Sequence, residues 1–101
     1  MPAYVISDVS ARDSAAFETY RRRAAASIAR HGGRYIVRGG TIEPLEGNWQ
    51  PRTIVIVEFP DLERARNWYR SRDYADALDV RDQALERNLI LVDGVPASLE
   101  G

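Results

Sequence analysis

The chain has 101 residues, of which 45% are hydrophobic, and its formal net charge is −1 at pH 7. This length accounts for one domain, and the near-neutral charge gives no general attraction to nucleic acid or to an anionic membrane. The 14 basic residues are all arginine and cysteine is absent, which excludes lysine Schiff bases, thiolate nucleophiles, disulfides and cysteine-ligated metals.

The first third of the chain predicts a strand followed by a long helix. Tyr4–Val9 is largely apolar and β-branched, as is typical of a strand. Asp13 is a suitable N-cap for a helix over Ser14–His31, and Gly32-Gly33 ends this helix because glycine adopts positive φ most easily. Apolar side chains recur along the helix at helical spacing, at Phe17, Tyr20, Ala24 and Ile28.

The middle of the chain predicts two strands joined by a hairpin loop. A second strand covers Arg34–Arg38, and Gly39-Gly40 indicates a bulge or kink before Thr41–Leu45 continues the extended chain. Glu46–Pro51 forms the loop, and Thr53–Phe59 is the third strand.

The last third predicts two helical stretches and a final strand. Asp61 caps a helix that is broken at Arg70–Asp73, and a further helical stretch runs over Tyr74–Arg87 before the strand Asn88–Val92. The inner stripe of the first of these helices consists of Leu62, Ala65, Trp68 and Tyr69.

This order of elements, β-α-β-β-α-β, predicts an α+β protein with the ferredoxin-like fold. Right-handed crossovers then give a four-stranded antiparallel sheet of strand order 4-1-3-2, with both helices on one face. We expect a single domain over residues 1–95 and a C-terminal tail over residues 96–101.

Two segments indicate that one copy of this chain is incomplete. Ile54–Val57 and Leu89–Val92 are apolar at every position, whereas a strand with one wet face alternates between apolar and polar residues. The helices cover only one face of the sheet. We therefore expect a second copy of the sheet to cover the other face, in a homodimer.

Several motifs along the chain carry a resemblance to a known family. These are Gly32-Gly33-Arg34-Tyr35-Ile36-Val37-Arg38-Gly39-Gly40, Leu45-Glu46-Gly47, Glu58-Phe59-Pro60 and Ala65-x-x-Trp68-Tyr69. With them the chain resembles the DUF1330 family, from Ala3 to Gly94. The resemblance implies a dimeric α/β barrel, in which two ferredoxin-like sheets face each other. That superfamily includes cofactor-free monooxygenases, dehalogenating and isomerising enzymes, and proteins of no known activity.

Aromatic residues are the first candidates for a ligand site. Tyr20, Tyr35, Trp68 and Tyr69 either line a cleft between the helices and the sheet or simply fill the core. Trp49 falls in a polar loop, where a large exposed ring indicates either a lid over a pocket or an anchor in the dimer contact, and we favour the anchor.

Charged residues supply the other candidates. Arg38 binds an anionic ligand, or lies between Asp8 and Glu58 on the dimer face if its strand alternates regularly, or lies at a solvated strand end. No catalytic residue is assigned. The sole histidine, His31, is the only candidate, and its position at a helix end also fits a plain capping role. The run Arg21-Arg22-Arg23 is interpreted as a solvated helix face.

Three functions remain to be compared. The protein is either a small-molecule enzyme that needs no metal or organic cofactor, or a non-catalytic ligand-binding or stress-related dimer. The third, an RNA-binding module of the same topology, needs aromatic residues on its central strands and a basic charge, and this chain has neither. We expect a cytoplasmic protein, since no signal peptide or membrane span is recognisable, with no nucleic-acid or membrane partner.

Overall fold

A computed structural model describes residues 1–95 of the chain as an antiparallel four-stranded sheet with helices packed on one face. The strand order is β2-β3-β1-β4, which confirms the predicted ferredoxin-like topology. The predicted tail over residues 96–101 lies outside the described residues. The elements in chain order are β1 (Ala3–Ala11), α1 (Ser14–Arg30), β2 (Arg34–Arg38), β3 (Ile54–Phe59), α2 (Leu62–Tyr69), α3 (Arg72–Leu78), α4 (Arg81–Ala84) and β4 (Leu85–Asp93).

Side-chain caps start the helices where the sequence predicts them. The carboxylate of Asp13 accepts a hydrogen bond from the backbone N–H of Ala15 at the start of α1. Asp61 does the same for the N–H of Arg64 at the start of α2, at 2.7 Å. Each cap satisfies a backbone donor that has no partner within the helix. No helix within residues 1–95 combines the length and the hydropathy that crossing a bilayer requires.

The predicted end of α1 at the glycine pair is confirmed. Gly32 has a φ of 79°, and its N–H and that of Gly33 donate to the carbonyls of Ala29 and Ile28. Gly33 is required for a different reason. A Cβ placed on it would lie 2.7 Å from the ring of Phe59 and 2.8 Å from Ile28, closer than non-bonded carbon atoms approach in proteins.

The sheet has one covered face and one open face. Along β1 the odd-numbered residues from Ala3 to Val9 are buried under the helices, whereas the even-numbered ones are only partly buried. The covered face and the helices together form a core that includes Val5, Val57, Phe59, Trp68 and Tyr74. The open face carries apolar side chains on three strands, at Ile6, Ile54, Ile56, Ile90 and Val92.

Two predicted elements are wrong. The helix expected over Tyr74–Arg87 is interrupted, because the chain enters β4 at Leu85, where it pairs with Ala11 of β1. This sheet pairing prevails over the local helical spacing. Thr41–Leu45 does not extend β2, and the segment between β2 and β3 contains no regular element among the described residues.

A β-bulge in β2 has a larger consequence for the site. Tyr35 pairs with Val57 and Val37 with Ile56, so Ile36 is an extra residue opposite β3. A bulge of this kind shifts the alternation of the side chains that follow it. Arg38 therefore pairs with Val55 and lies on the same face as Val55, the face covered by the helices.

Candidate ligand-binding cleft

A partly enclosed cavity of about 170 Å³ lies between α1 and α2 on one side and the covered face of the sheet on the other. It is smaller than the ~300 Å³ at the lower end of ordinary ligand pockets, so it fits a small molecule. Its walls are mostly apolar. The aromatic side chains and arginines that line it include Phe17, Tyr20, Tyr35, Arg38, Trp68 and Arg87.

A buried cluster of two tyrosines and one arginine forms one end of the cleft. The hydroxyl groups of Tyr20 on α1 and Tyr74 on α3 share a hydrogen bond of 2.7 Å, and Nη1 of Arg87 on β4 donates to the Tyr20 hydroxyl. Burial, with a smaller contribution from Tyr74, raises the pKa of Tyr20. Burial alone would lower the pKa of Arg87, but the two tyrosines more than offset this and raise it. Arg87 therefore stays charged and Tyr20 stays neutral at physiological pH.

Tyr35 and Arg38 form a second polar group at the rim of the cleft. The guanidinium of Arg38 lies 4.2 Å from the centroid of the Tyr35 ring, a cation–π distance. Burial raises the pKa of Tyr35. Arg38 itself is exposed, so its remaining donors are open to solvent or to a ligand.

The predicted cluster of Arg38 between Asp8 and Glu58 is wrong, because the bulge at Ile36 places Arg38 on the opposite face. Glu58 instead pairs with Arg34, whose Nε lies 2.9 Å from Oε1. Asp8 accepts hydrogen bonds from the indole N–H of Trp49 at 3.3 Å and from a loop backbone N–H. Two interpretations of Arg38 stay open, a solvated strand end and a ligand-binding group, and the ligand-binding role stays a prediction.

The remaining aromatic candidates separate into two environments. Trp68 is buried and lines the cleft, and its indole N–H donates to the hydroxyl of Ser27 at 2.9 Å. Its N–H is thus satisfied, and only its ring surface is available to a ligand. Tyr69 does not line this cleft; it stacks on Trp68 and Tyr74 with a side chain that is 43% exposed.

The structure places His31 and Trp49 outside the cleft. His31 is the C-cap residue of α1, and its Nε2 lies 3.4 Å from Oδ2 of Asp73 without the geometry of a hydrogen bond. This position fits a helix-capping role. Trp49 is 65% exposed and reaches Asp8 on the open face of the sheet. A role as a dimer anchor stays a prediction.

The sequence did not predict a role for Arg87, which lines the cleft, or for Tyr74, which supports Tyr20 from behind the cleft wall. Both residues fall in one predicted helix, and that prediction concealed their positions. Ser71 accepts a hydrogen bond from the N–H of Tyr74, and this Ser-x-x-Tyr cap was a readable helix start. The alternation of Leu85, Arg87 and Leu89 would have placed Arg87 on a strand face.

The charged side chains that line the cleft are positive. Arg21, Arg38 and Arg87 line it, whereas the residues described around it include no carboxylate and no imidazole. The described part of the chain also brings no three potential metal ligands together. The polar groups of the cleft therefore favour an anion over a cation.

Comparison with known proteins identifies a family but no activity. The family described as a domain of unknown function, DUF1330, matches residues 2–95. No curated protein matches the sequence significantly.

Solved structures share the fold at low sequence identity. A protein of unknown function from Rhodopseudomonas palustris, RPA0582, superposes with a TM-score of 0.74 at 20% identity, over 94% of this chain and 83% of its own. SnoaB, a cofactor-independent oxygenase from Streptomyces nogalater, has a TM-score of 0.64 at 15% identity, over 98% of both chains. A dimeric protein of unknown function from Bacteroides fragilis, with a ferredoxin-like fold, has a TM-score of 0.62 at 16% identity, over 92% of this chain and 96% of its own. At such identities the likeness establishes the fold alone.

Proposed function

The chain belongs to the DUF1330 family of unknown function, and on this premise we propose that it is a homodimer whose two copies each bind a small organic molecule in the cleft between helices and sheet. The observation that carries the proposal is the cavity of about 170 Å³ between the helices and the sheet, which is lined by buried aromatic side chains such as Tyr20 and Trp68. Well-packed interiors leave few voids larger than a water molecule. Aromatic walls with a few polar groups are typical of ligand sites, and a volume below ~300 Å³ restricts the ligand to a small molecule.

The groups around the cavity support binding rather than turnover. General acid–base catalysis uses a group whose pKa lies near the operating pH, most often a histidine or a carboxylate. None of these is among the described lining residues, and His31 lies at the far end of α1. The phenol of Tyr20 is held neutral because burial raises its pKa. The alternative function is an enzyme that turns over its substrate without an acid–base pair. The likeness in fold to SnoaB, which is described as a cofactor-independent oxygenase, favours this alternative.

The open face of the sheet supports the homodimer. Ile90 and Val92 on this face are 57% and 41% exposed in a single chain, and Ile6, Ile54 and Ile56 continue the apolar surface across the sheet. An apolar sheet face of this kind is normally covered in soluble proteins. The Bacteroides fragilis protein of the same fold is described as dimeric. A two-fold pairing of the open faces leaves both clefts accessible, because they lie on the opposite side of each sheet.

A thermal-shift screen against small organic molecules tests the binding proposal. A ligand at 100 times its dissociation constant stabilises the folded state by about 2.7 kcal/mol, which moves the melting temperature of a domain this size by several degrees. Ala24 lines the cavity and is buried, so Ala24→Leu partly fills it. Val55→Phe fills it from the sheet side and serves as a second variant.

Ala26→Leu is the matched control, since Ala26 lies on the same helix with an exposed side chain. We expect ligands that stabilise the native chain and Ala26→Leu to lose their effect on Ala24→Leu and Val55→Phe. Equal stabilisation of all four proteins would show that binding occurs elsewhere. A library without a single stabilising compound would contradict the proposal.

A further inference from the structure

Resting on the proposed function, we propose that the ligand of the cleft is a small organic acid, whose carboxylate binds the guanidinium groups of Arg87 and Arg38 while its apolar body lies against the aromatic walls. Three features of the cleft favour such a ligand.

The first feature is an unpaired donor. Nη2 of Arg87 is buried and meets no hydrogen-bond acceptor within residues 1–95, although Nη1 of the same group donates to Tyr20. Buried polar atoms in native proteins are almost always hydrogen-bonded, and an unpaired donor on a charged group is especially costly. Because Arg87 lines the cavity, an oxygen atom of a bound carboxylate is a suitable acceptor for it.

The second feature is the positive charge of the cleft, which no carboxylate of its wall offsets. The described lining contains no Asp or Glu. Among residues 1–95, neither Arg38 nor Arg87 has a carboxylate oxygen within 4 Å. Arg21 also lines the cleft, but Glu18 at 3.6 Å offsets its charge. The cleft therefore concentrates positive charge in a chain whose net charge is negative.

The third feature is the apolar wall. Phe17, Trp68 and Val55 face the cavity and offer no hydrogen bond to a ligand, since the indole N–H of Trp68 is already donated to Ser27. These surfaces gain nothing from a free inorganic anion, whereas they stabilise the apolar body of an organic acid by excluding water. Arginine forks match a carboxylate in geometry as well as in charge. The combination selects a small carboxylate with an apolar body.

Titration of ¹⁵N-labelled protein with benzoate, benzamide and inorganic phosphate tests this inference. The indole N–H of Trp68 reports from the cleft wall, and the variant Trp49→Phe assigns its signal because the chain has two tryptophans. Benzamide has the shape of benzoate without its charge. We expect benzoate to shift the Trp68 signal and to bind at least tenfold more tightly than benzamide or phosphate.

Variants of the two arginines complete the test. Arg87→Gln and Arg38→Gln should each weaken benzoate binding about tenfold and change benzamide binding less than twofold. Arg22→Gln is the matched control, because Arg22 is exposed on α1 and lies outside the lining of the cleft. Arg38 is exposed at the rim, so Arg38→Gln should fold normally. If Arg87→Gln does not fold, Arg38→Gln alone tests the inference.

Each outcome is decisive. Equal affinities for benzoate and benzamide, or the absence of a shift with benzoate, would overturn the organic-acid inference and leave cleft binding standing. Phosphate binding as tight as that of benzoate would make this an inorganic-anion site and overturn it too. The proposed function fails separately, when no molecule of the thermal-shift library binds.

Discussion

The hydroxyl groups of Tyr20 and Tyr74 lie 2.7 Å apart in the interior, and this buried hydrogen bond joins α1 to α3. The two rings meet edge to face, with centroids 6.4 Å apart and planes at 72°. Arg87 adds its guanidinium from the sheet, 5.3 Å from the centre of the Tyr20 ring. These three side chains thus link α1, α3 and β4 at one end of the cleft.

Removing either hydroxyl should therefore destabilise the fold. Tyr20→Phe leaves the Tyr74 hydroxyl and Nη1 of Arg87 without a partner, and we expect a loss of about 1–3 kcal/mol in the free energy of unfolding. The double variant Tyr20→Phe/Tyr74→Phe should lose less than the sum of the single variants, because both break the same bond. Urea unfolding measures these values. Tyr69→Phe, at a half-exposed ring, is the control and should stay within about 0.5 kcal/mol. Strict additivity would argue against the shared bond.

Stability should fall at alkaline pH. Burial raises the pKa of Tyr20 and of Tyr35 above the ordinary value of 10.0. The folded state then binds these protons more tightly than the unfolded state. The resulting contribution to the free energy of unfolding is complete below about pH 10, and it is lost as the pH rises further. Urea midpoints between pH 8 and pH 11 measure the slope, and Tyr20→Phe should flatten it. The control is Ser27→Ala, which removes a buried hydroxyl that does not titrate and should lower stability equally at every pH. If the urea midpoint of Tyr20→Phe depended on pH as steeply as that of the native chain, Tyr20 would not be the titrating group.

Gly33→Ala should destabilise the protein although it adds only one methyl group. The new Cβ would meet Phe59 and Ile28 at less than 3 Å, and Phe59 is fully buried. Overpacking of this kind costs about 1–3 kcal/mol. Gly40→Ala is the control, because a Cβ there meets nothing within 4 Å. Thermal unfolding should separate the two variants, and equal melting temperatures would contradict the predicted clash.

Ile56→Asp should dissociate the proposed homodimer. Ile56 lies near the middle of the open face, paired with Ile6 across the sheet. An unpaired charge buried there in each copy costs about 3 kcal/mol or more, and so weakens association at least a hundredfold. Sedimentation velocity measures the change. Ala26→Asp adds the same charge on an exposed helix position and should leave the dimer intact. Arg38→Ala should also leave it intact, because Arg38 lies on the helix side. A native chain that sediments as a monomer would contradict the assembly itself.

Local chemistry was enough to predict most of the architecture. Asp13 and Asp61 were recognisable as caps because a carboxylate before an amphipathic stretch satisfies free backbone donors. Gly32 was recognisable as a helix end because few other residues adopt its φ of 79°. The strand order followed from chirality once the succession of elements was known.

The features that escaped prediction depend on contacts between distant parts of the chain. Leu85 becomes a strand residue because Ala11, more than 70 positions earlier, offers it a pairing edge. Around Leu85 the alternation of Leu85, Arg87 and Leu89 competes with a helical spacing, and the pairing with β1 decides between them. The bulge at Ile36 is likewise a property of how β2 meets β3. Both errors concealed residues of the cleft, Arg87 in the first case and Arg38 in the second.

The bulge in β2 makes the electrostatics of the two sides of the sheet depend on how one edge strand is paired. With Ile36 bulged, the guanidinium two places later faces the helices; if the same residues paired without a bulge, strict alternation would carry it to the other side. The pairing of an edge strand thus decides whether this charge is available to a ligand or lies on the face proposed for assembly. Relatives that retain every arginine but lack the bulge should differ in what they bind and in how they pair.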